Sequence, residues 1–111
     1  MAALNDYRQL TETILLEYTK IPYAYMDVQT HAVFDRQHDH YLLVNLGWDN
    51  GRRVYSGLVH IDIINDQWWI QQDNTEEGIA PELVKAGIPK EQIVLAFQPL
   101  EVRLQTTYGV S

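Results

Sequence analysis

The sequence predicts an α+β fold: a four-stranded antiparallel meander sheet, with an N-terminal helix and C-terminal helices packed on one face. Three observations predict it. Apolar residues recur every three or four positions up to about residue 20, then every two positions from about residue 27. Short polar connections, Arg36-Gln37-His38-Asp39, Asn50-Gly51 and Asn65-Asp66, separate the alternating segments. Past residue 75 the alternation stops, and glycine and proline punctuate short apolar runs.

The first element is a helix over about residues 5–20. Asn5 or Asp6 can cap it, because a side-chain oxygen there accepts from a free N–H of the first turn. Tyr7, Leu10, Ile14, Leu15 and Tyr18 make one apolar stripe. Ile21-Pro22 ends it, since the residue before proline is pushed out of helical geometry.

Four strands follow, over about residues 27–35, 40–48, 53–64 and 67–72. Asn50-Gly51 suits a type I′ turn, whose two central residues need positive φ, and Asn65-Asp66 is similar. Three short connections in succession imply antiparallel neighbours.

Strict alternation assigns the faces. His40, Leu42, Val44, Leu46 and Trp48 share one side of the second strand; Tyr41, Leu43, Asn45 and Gly47 share the other. In the third strand Tyr55, Gly57, Val59, Ile61 and Ile63 form an apolar side. Val54, Ser56, Leu58, His60, Asp62 and Ile64 form a mixed one. A mixed face carrying Tyr41, Leu43, Val54 and Leu58 is too apolar to be solvated throughout, so a partner is expected over part of it.

A second helix spans about residues 79–86. Capping by Thr75 would put Pro81 where it removes a hydrogen bond; capping by Gly78 keeps Pro81 in the first turn and is preferred. Gly87 reads as the left-handed stop, with Ile88 folding back near Leu83. A helical turn at 89–92, an extended or strand-like run at 93–97, a short helix at 99–105 and a tail complete the chain.

The 111 residues fit one domain, residues 1–111, with no repeat or linker. With 46% hydrophobic and 21% charged residues, the composition is that of a globular chain. Cysteine is absent, which excludes disulfide scaffolds, thiol nucleophiles and thiolate metal sites. No secretory signal and no apolar run of membrane-spanning length is seen, so a cytoplasmic location is expected. The net charge of −7 disfavours broad contact with nucleic-acid phosphates.

Several residues can carry chemistry. His38 and His40 form a His-x-His pair on one strand face, a possible metal-ligand pair that lacks an evident third ligand. Asp39 points the other way. His60 and Asp62 share a face about 7 Å apart, so Asp62 can tune His60 as a base. Ser56 on that face is the nearest hydroxyl, and no nucleophile elbow is present. A hydrogen-bonded pair is the simpler account. Arg52 and Arg53, beside Trp48, can meet a phosphate or a base, or pair with acids such as Asp49. Trp68 and Trp69 are consecutive, so one must lie on each face. The outward one is expected in a contact surface with Tyr41 and Leu43, most simply that of a homodimer. The single, scattered glycines form no phosphate loop, so no cofactor is expected.

The order of short segments carries a resemblance. Leu4-Asn5-x-Tyr7-Arg8, Ile21-Pro22-Tyr23, Asp39-His40-Tyr41, Gly47-Trp48-Asp49, Arg52-Arg53-Val54, His60-Ile61-Asp62 and Trp69-Ile70-Gln71 are followed by Thr75-Glu76-Glu77, Ala86-Gly87-Ile88-Pro89 and Ile93-Val94-Leu95-x-Phe97. Together they resemble the XisI family, the fdxN element excision controlling factors of cyanobacteria, over nearly the whole chain. Gly78 and Pro81 depart from the acidic and small residues expected there.

The resemblance implies a controlling role in a DNA rearrangement of heterocyst development. It implies a XisH-like, nuclease-related protein as partner and an indirect link to a site-specific recombinase. It supplies no catalytic residues. The combined expectation is a non-enzymatic regulatory protein acting through Trp68, Trp69, Tyr41, Leu43, Arg52, Arg53, His60 and Asp62. Two alternatives stay open: direct DNA binding through Arg52 and Arg53, and a small metal-dependent hydrolase using His38, His40, His60 and Asp62.

Overall fold

The computed structural model describes residues 4–23 and 27–110. Helix α1 spans Leu4–Tyr18. Its start one residue before Asn5 puts Asp6 inside the first turn rather than at the cap; the side chain of Asn5 lies outside the described residues. Leu15 is fully buried, and Leu4, Tyr7, Ile14 and Tyr18 pack against the core as the stripe requires. Thr11, on the same side, is also fully buried. Its hydroxyl donates to the carbonyl of Tyr7 (2.7 Å) and accepts from the indole N–H of Trp68 (2.9 Å).

The strands are β1 (Asp27–Asp35), β2 (His40–Asp49), β3 (Arg52–Ile64) and β4 (Gln67–Asp73), joined antiparallel in chain order. The turns are as their residues dictate. Asn50 and Gly51 have φ of 54° and 80°, and Asn65 and Asp66 have 50° and 62°. These are the two positive values of a type I′ turn in each case.

The sheet has a fifth strand, a correction to the four-stranded meander. Ile93 and Val94 form β5, parallel to Trp68 and Trp69 of β4, so the sheet is mixed with order β1-β2-β3-β4-β5. A parallel neighbour needs a long crossover, and the segment carrying helix α2 (Ala80–Lys85) supplies it. Both β5 residues are fully buried, which explains their unbroken apolar character.

A β-bulge overturns the assignment of faces. Leu43 pairs with Val59 but Val44 pairs with Gly57, which leaves Leu58 without an opposite residue in β2. One extra residue reverses the alternation beyond it. Val59, Ile61 and Ile63 therefore face the helices, whereas Gly57 and Tyr55 face away from them. On β2 the grouping of alternate residues holds, but Tyr41 and Leu43 lie opposite Ile61 and Val59. They belong to the covered core with Trp68 and Ile70, and each of the four is fully buried.

Helix α2 adds Ala80 and Leu83 to this core, together with the flanking Ile79 and Ile88. Its N-cap is Ile79 rather than Gly78, and Pro81 sits in the first turn as expected. The cap has no oxygen of its own to offer. Asp73 substitutes: its Oδ2 accepts from the backbone N–H of Ile79 (2.7 Å), and its Oδ1 from that of Thr75 (3.0 Å). Gly87, at φ 115°, ends the helix, and the N–H of Ile88 returns to the carbonyl of Leu83 (3.1 Å). A 3-10 turn, Lys90–Gln92, leads into β5. Helix α3 is only Leu100–Arg103 and fully buries none of its residues, so of the two C-terminal helices it is α2 that supplies core side chains.

Candidate functional site

Among the described residues, one sheet face carries neither α1 nor α2 and is exposed over β1–β3; at the β4–β5 edge it is covered, since Val94, paired with Trp69, is fully buried. Helices α1 and α2 lie on the side of Tyr41, Val59, Ile61, Trp68 and Ile70. By alternation, the other side carries His31 and Val33 of β1, and His40, Leu42, Val44, Leu46 and Trp48 of β2. It also carries Arg53, Tyr55, His60 and Asp62 of β3, and Trp69 of β4.

This open face has two parts. The first is apolar: Tyr55 is 74% exposed, Val33 52% and Trp48 51%, with Leu42, Val44, Leu46 and Trp69 half-buried around them. Arg53 lays its guanidinium over the Trp48 ring, 5.4 Å from the centroid, and donates to the carbonyl of Gly47 (3.3 Å). The cation is thus engaged with a ring and a carbonyl. Arg52, its neighbour, projects to the opposite side, so the strand separates the adjacent basic pair and forms no joint phosphate clamp.

The second part is a cluster at the β2–β3 end. The register places His40 opposite Asp62 and Leu42 opposite His60. His40 and His60 therefore flank Asp62, one from across the strand pair and one from two residues along. Nδ1 of His40 and Nε2 of His60 both contact Oδ1 of Asp62, at 2.7 and 2.8 Å. Gln71 is the residue left over by a second bulge, in β4. Its amide donates to the other Asp62 oxygen at 3.3 Å.

Electrostatics follow this geometry. Burial pushes the Asp62 carboxyl up, but the hydrogen bonds from His40 and His60 outweigh it and hold the group below the usual carboxylate range. The hydrogen bond to Asp62 raises the His40 imidazole above its ordinary value, against a smaller opposing effect of desolvation.

The structure therefore brings together three of the four residues of the metal reading, His40, His60 and Asp62. His38 turns to Asp35 instead, at 2.8 Å, while its ring stacks beside His40 at 6.4 Å. Ser56, beyond the Leu58 bulge, pairs with Asn45 on the covered side and lies on the opposite face from His60. A groove of about 320 Å3, lined by Tyr18, Pro22, Leu58 and Thr75 among others, shares no residue with the cluster.

Of the expected contact residues, Trp69, Arg53, His60 and Asp62 stand on the open face. Tyr41, Leu43 and Trp68 do not: all three are fully buried core residues and cannot form a contact surface, and the exposed large apolar side chains of the open face are Tyr55, Trp48 and Val33. Alternation alone groups Tyr55 with Ile61, and the bulge at Leu58 is what separates them. No helix among the described residues is long and apolar enough to cross a membrane.

Comparison with known proteins agrees with this architecture. The XisI protein family model matches residues 1–110. The crystal structure of a XisI-like protein from Anabaena variabilis ATCC 29413 superposes with a TM-score of 0.88 at 35% identity, covering 98% of this chain and 100% of that one. That of the fdxN element excision controlling factor XisI, also from Anabaena variabilis ATCC 29413, gives 0.76 at 29% identity, with 96% of each chain covered. No curated protein matches. With the family model spanning nearly every residue and the fold shared end to end, the chain belongs to the XisI family.

Proposed function

We propose that this protein is a non-enzymatic controlling factor in the excision of a DNA element, and that it acts by protein contacts through its open sheet face. The observation that carries the reading is the exposure of Tyr55, Trp48 and Val33 together on the β1–β3 part of one sheet face. Contiguous exposed apolar surface rimmed by polar groups is characteristic of interaction sites, and tyrosine and tryptophan are the residues that dominate their energetics. The role in excision rests on the family and on the relative that is named an fdxN element excision controlling factor.

The partner is a XisH-like protein of nuclease-related fold. A net charge of −7 suits binding to a protein whose own surface is basic for DNA, and it disfavours this chain as the DNA-contacting component. A homodimer is the other association this face can form. The protein is expected to work in the cytoplasm.

Co-expression with a XisH-like protein tests the reading. A stable complex that Tyr55→Glu abolishes supports it, as does DNA binding by the isolated chain that is absent at about 50 mM salt. Failure to form any complex, or tight salt-dependent DNA binding lost in Arg53→Ala, overturns it. Light scattering on the isolated chain at micromolar concentration reports the dimer.

A further inference from the structure

The hydrogen bonds in the His40–Asp62–His60 cluster account for its present arrangement, but its donor set does more than pair charges. One nitrogen from each imidazole and one carboxylate oxygen lie within 4.8 Å of one another. The geometry points to a binding site for a single zinc-like divalent transition-metal cation, held by His40, His60 and Asp62. The three are held by sheet register rather than by a loop: His40 and Asp62 are directly opposed across β2 and β3, and His60 precedes Asp62 by one strand repeat. A site built on paired strands keeps its ligands in place before the ion arrives.

Distances allow the ion. Tetrahedral zinc with bonds of about 2.0–2.1 Å sets its donors about 3.3 Å apart. The two contacts to Asp62 are 2.7 and 2.8 Å. Opening each of these contacts by about half an ångström, and drawing the two imidazole nitrogens from within 4.8 Å of each other to the same spacing, takes side-chain rotation rather than a backbone change. The His40 side chain is half exposed and free to make it.

Gln71 holds the second Asp62 oxygen, which presents the first one to the ion, as outer-shell partners of metal ligands commonly do. Two imidazoles and one carboxylate select zinc and similar borderline cations over magnesium or calcium, which take oxygen donors. With three protein ligands, the fourth position is left to water on the open face. The ligand atoms bind the ion only when they carry no proton, so binding weakens as the pH falls. The site shares no residue with the Tyr55–Trp48 patch, and it is tested on the isolated chain whether or not a protein partner docks there.

Metal-free protein is titrated with Zn2+ at about pH 7.5 by calorimetry, and with Co2+ by visible absorption, which reports four-coordinate geometry. The expected result is one ion per chain. His40→Ala, His60→Ala and Asp62→Asn should each weaken binding at least tenfold, and His31→Ala, on the same face but outside the cluster, should leave it unchanged. His40→Ala removes an exposed side chain, so its result stands even if Asp62→Asn impairs folding. Absence of stoichiometric Zn2+ binding, binding that survives both His40→Ala and His60→Ala, or displacement of Zn2+ by millimolar Mg2+ overturns the proposal.

Discussion

Arg8 grips Asp39 through both carboxylate oxygens, Nε to Oδ1 at 2.7 Å and Nη2 to Oδ2 at 2.8 Å. Tyr41, itself in the core, donates its hydroxyl to the same Oδ1 at 2.9 Å. Asp39 adopts a left-handed φ of 58° in the β1–β2 turn. One bidentate pair thus ties the first turns of α1 to that turn, and Arg36 of the turn reaches back to Glu12 of α1 at 2.6 Å. The hydrogen bonds from Arg8 hold the Asp39 carboxyl below its usual range, with burial opposing and Tyr41 assisting.

This pair makes stability depend on pH in a defined direction. A carboxyl whose value is lowered by folding stabilises the fold above its unfolded value of about 3.9, and that contribution is lost as the pH falls through the lowered one. Arg8→Ala should reduce the urea midpoint at pH 7. Its deficit relative to the parent should shrink as the pH drops below about 4. A deficit that stays constant down to pH 2 would show that Arg8 acts through packing alone.

Thr11 should be replaceable by serine but not by valine. Valine keeps the shape but leaves the buried indole N–H of Trp68 without its acceptor, a loss of about 1–3 kcal/mol. Serine retains the acceptor and gives up only a methyl group. Urea unfolding of the two variants separates the hydrogen bond from the packing.

Two glycines should respond very differently to alanine. At Gly47, φ is 151° and an added Cβ would stand 2.0 Å from the carbonyl oxygen of Asp27, so the β1–β2 ladder must part. A cost of about 3 kcal/mol or more is expected, among the larger single-residue effects. At Gly51, φ is 80° with nothing within 4 Å of the new atom. Only the left-handed backbone is penalised there, by about 1–2 kcal/mol. Thermal melts of the pair compare steric exclusion with backbone preference directly.

Tyr41 and Tyr55 provide the test of the reversed faces. Tyr41→Ala empties a core position and should cost about 3–5 kcal/mol, the range for large aromatic truncations. Tyr55→Glu should alter stability by no more than about 0.5 kcal/mol. It should instead weaken association in light scattering or pull-down. Equal destabilisation by both would mean that Tyr55 is packed rather than presented.

The N-terminal helix, the four hairpin strands and both type I′ turns were legible in the chain because each rests on local rules. Apolar period, proline and the Asn-Gly and Asn-Asp dipeptides act over a few residues. Gly87 likewise announced the end of α2. The N-cap was less legible, because the group that holds the Ile79 N–H comes from Asp73, six residues away.

Local patterning along the chain specifies the class of fold, the order of short segments the family, and composition the residues that can titrate or ligate. Which of them meet depends on how the strands pair. Leu58 shows why: a bulge is an extra residue in a pairing, and pairing belongs to two strands rather than to one. That single residue turned Tyr55 outward and set Ile61 against Tyr41. His40 and Asp62 became neighbours for the same reason, since residues 22 positions apart are joined only by register. Periodicity records which side chains share a strand face; the contacts across strands fix which face is core and which is left open to a partner.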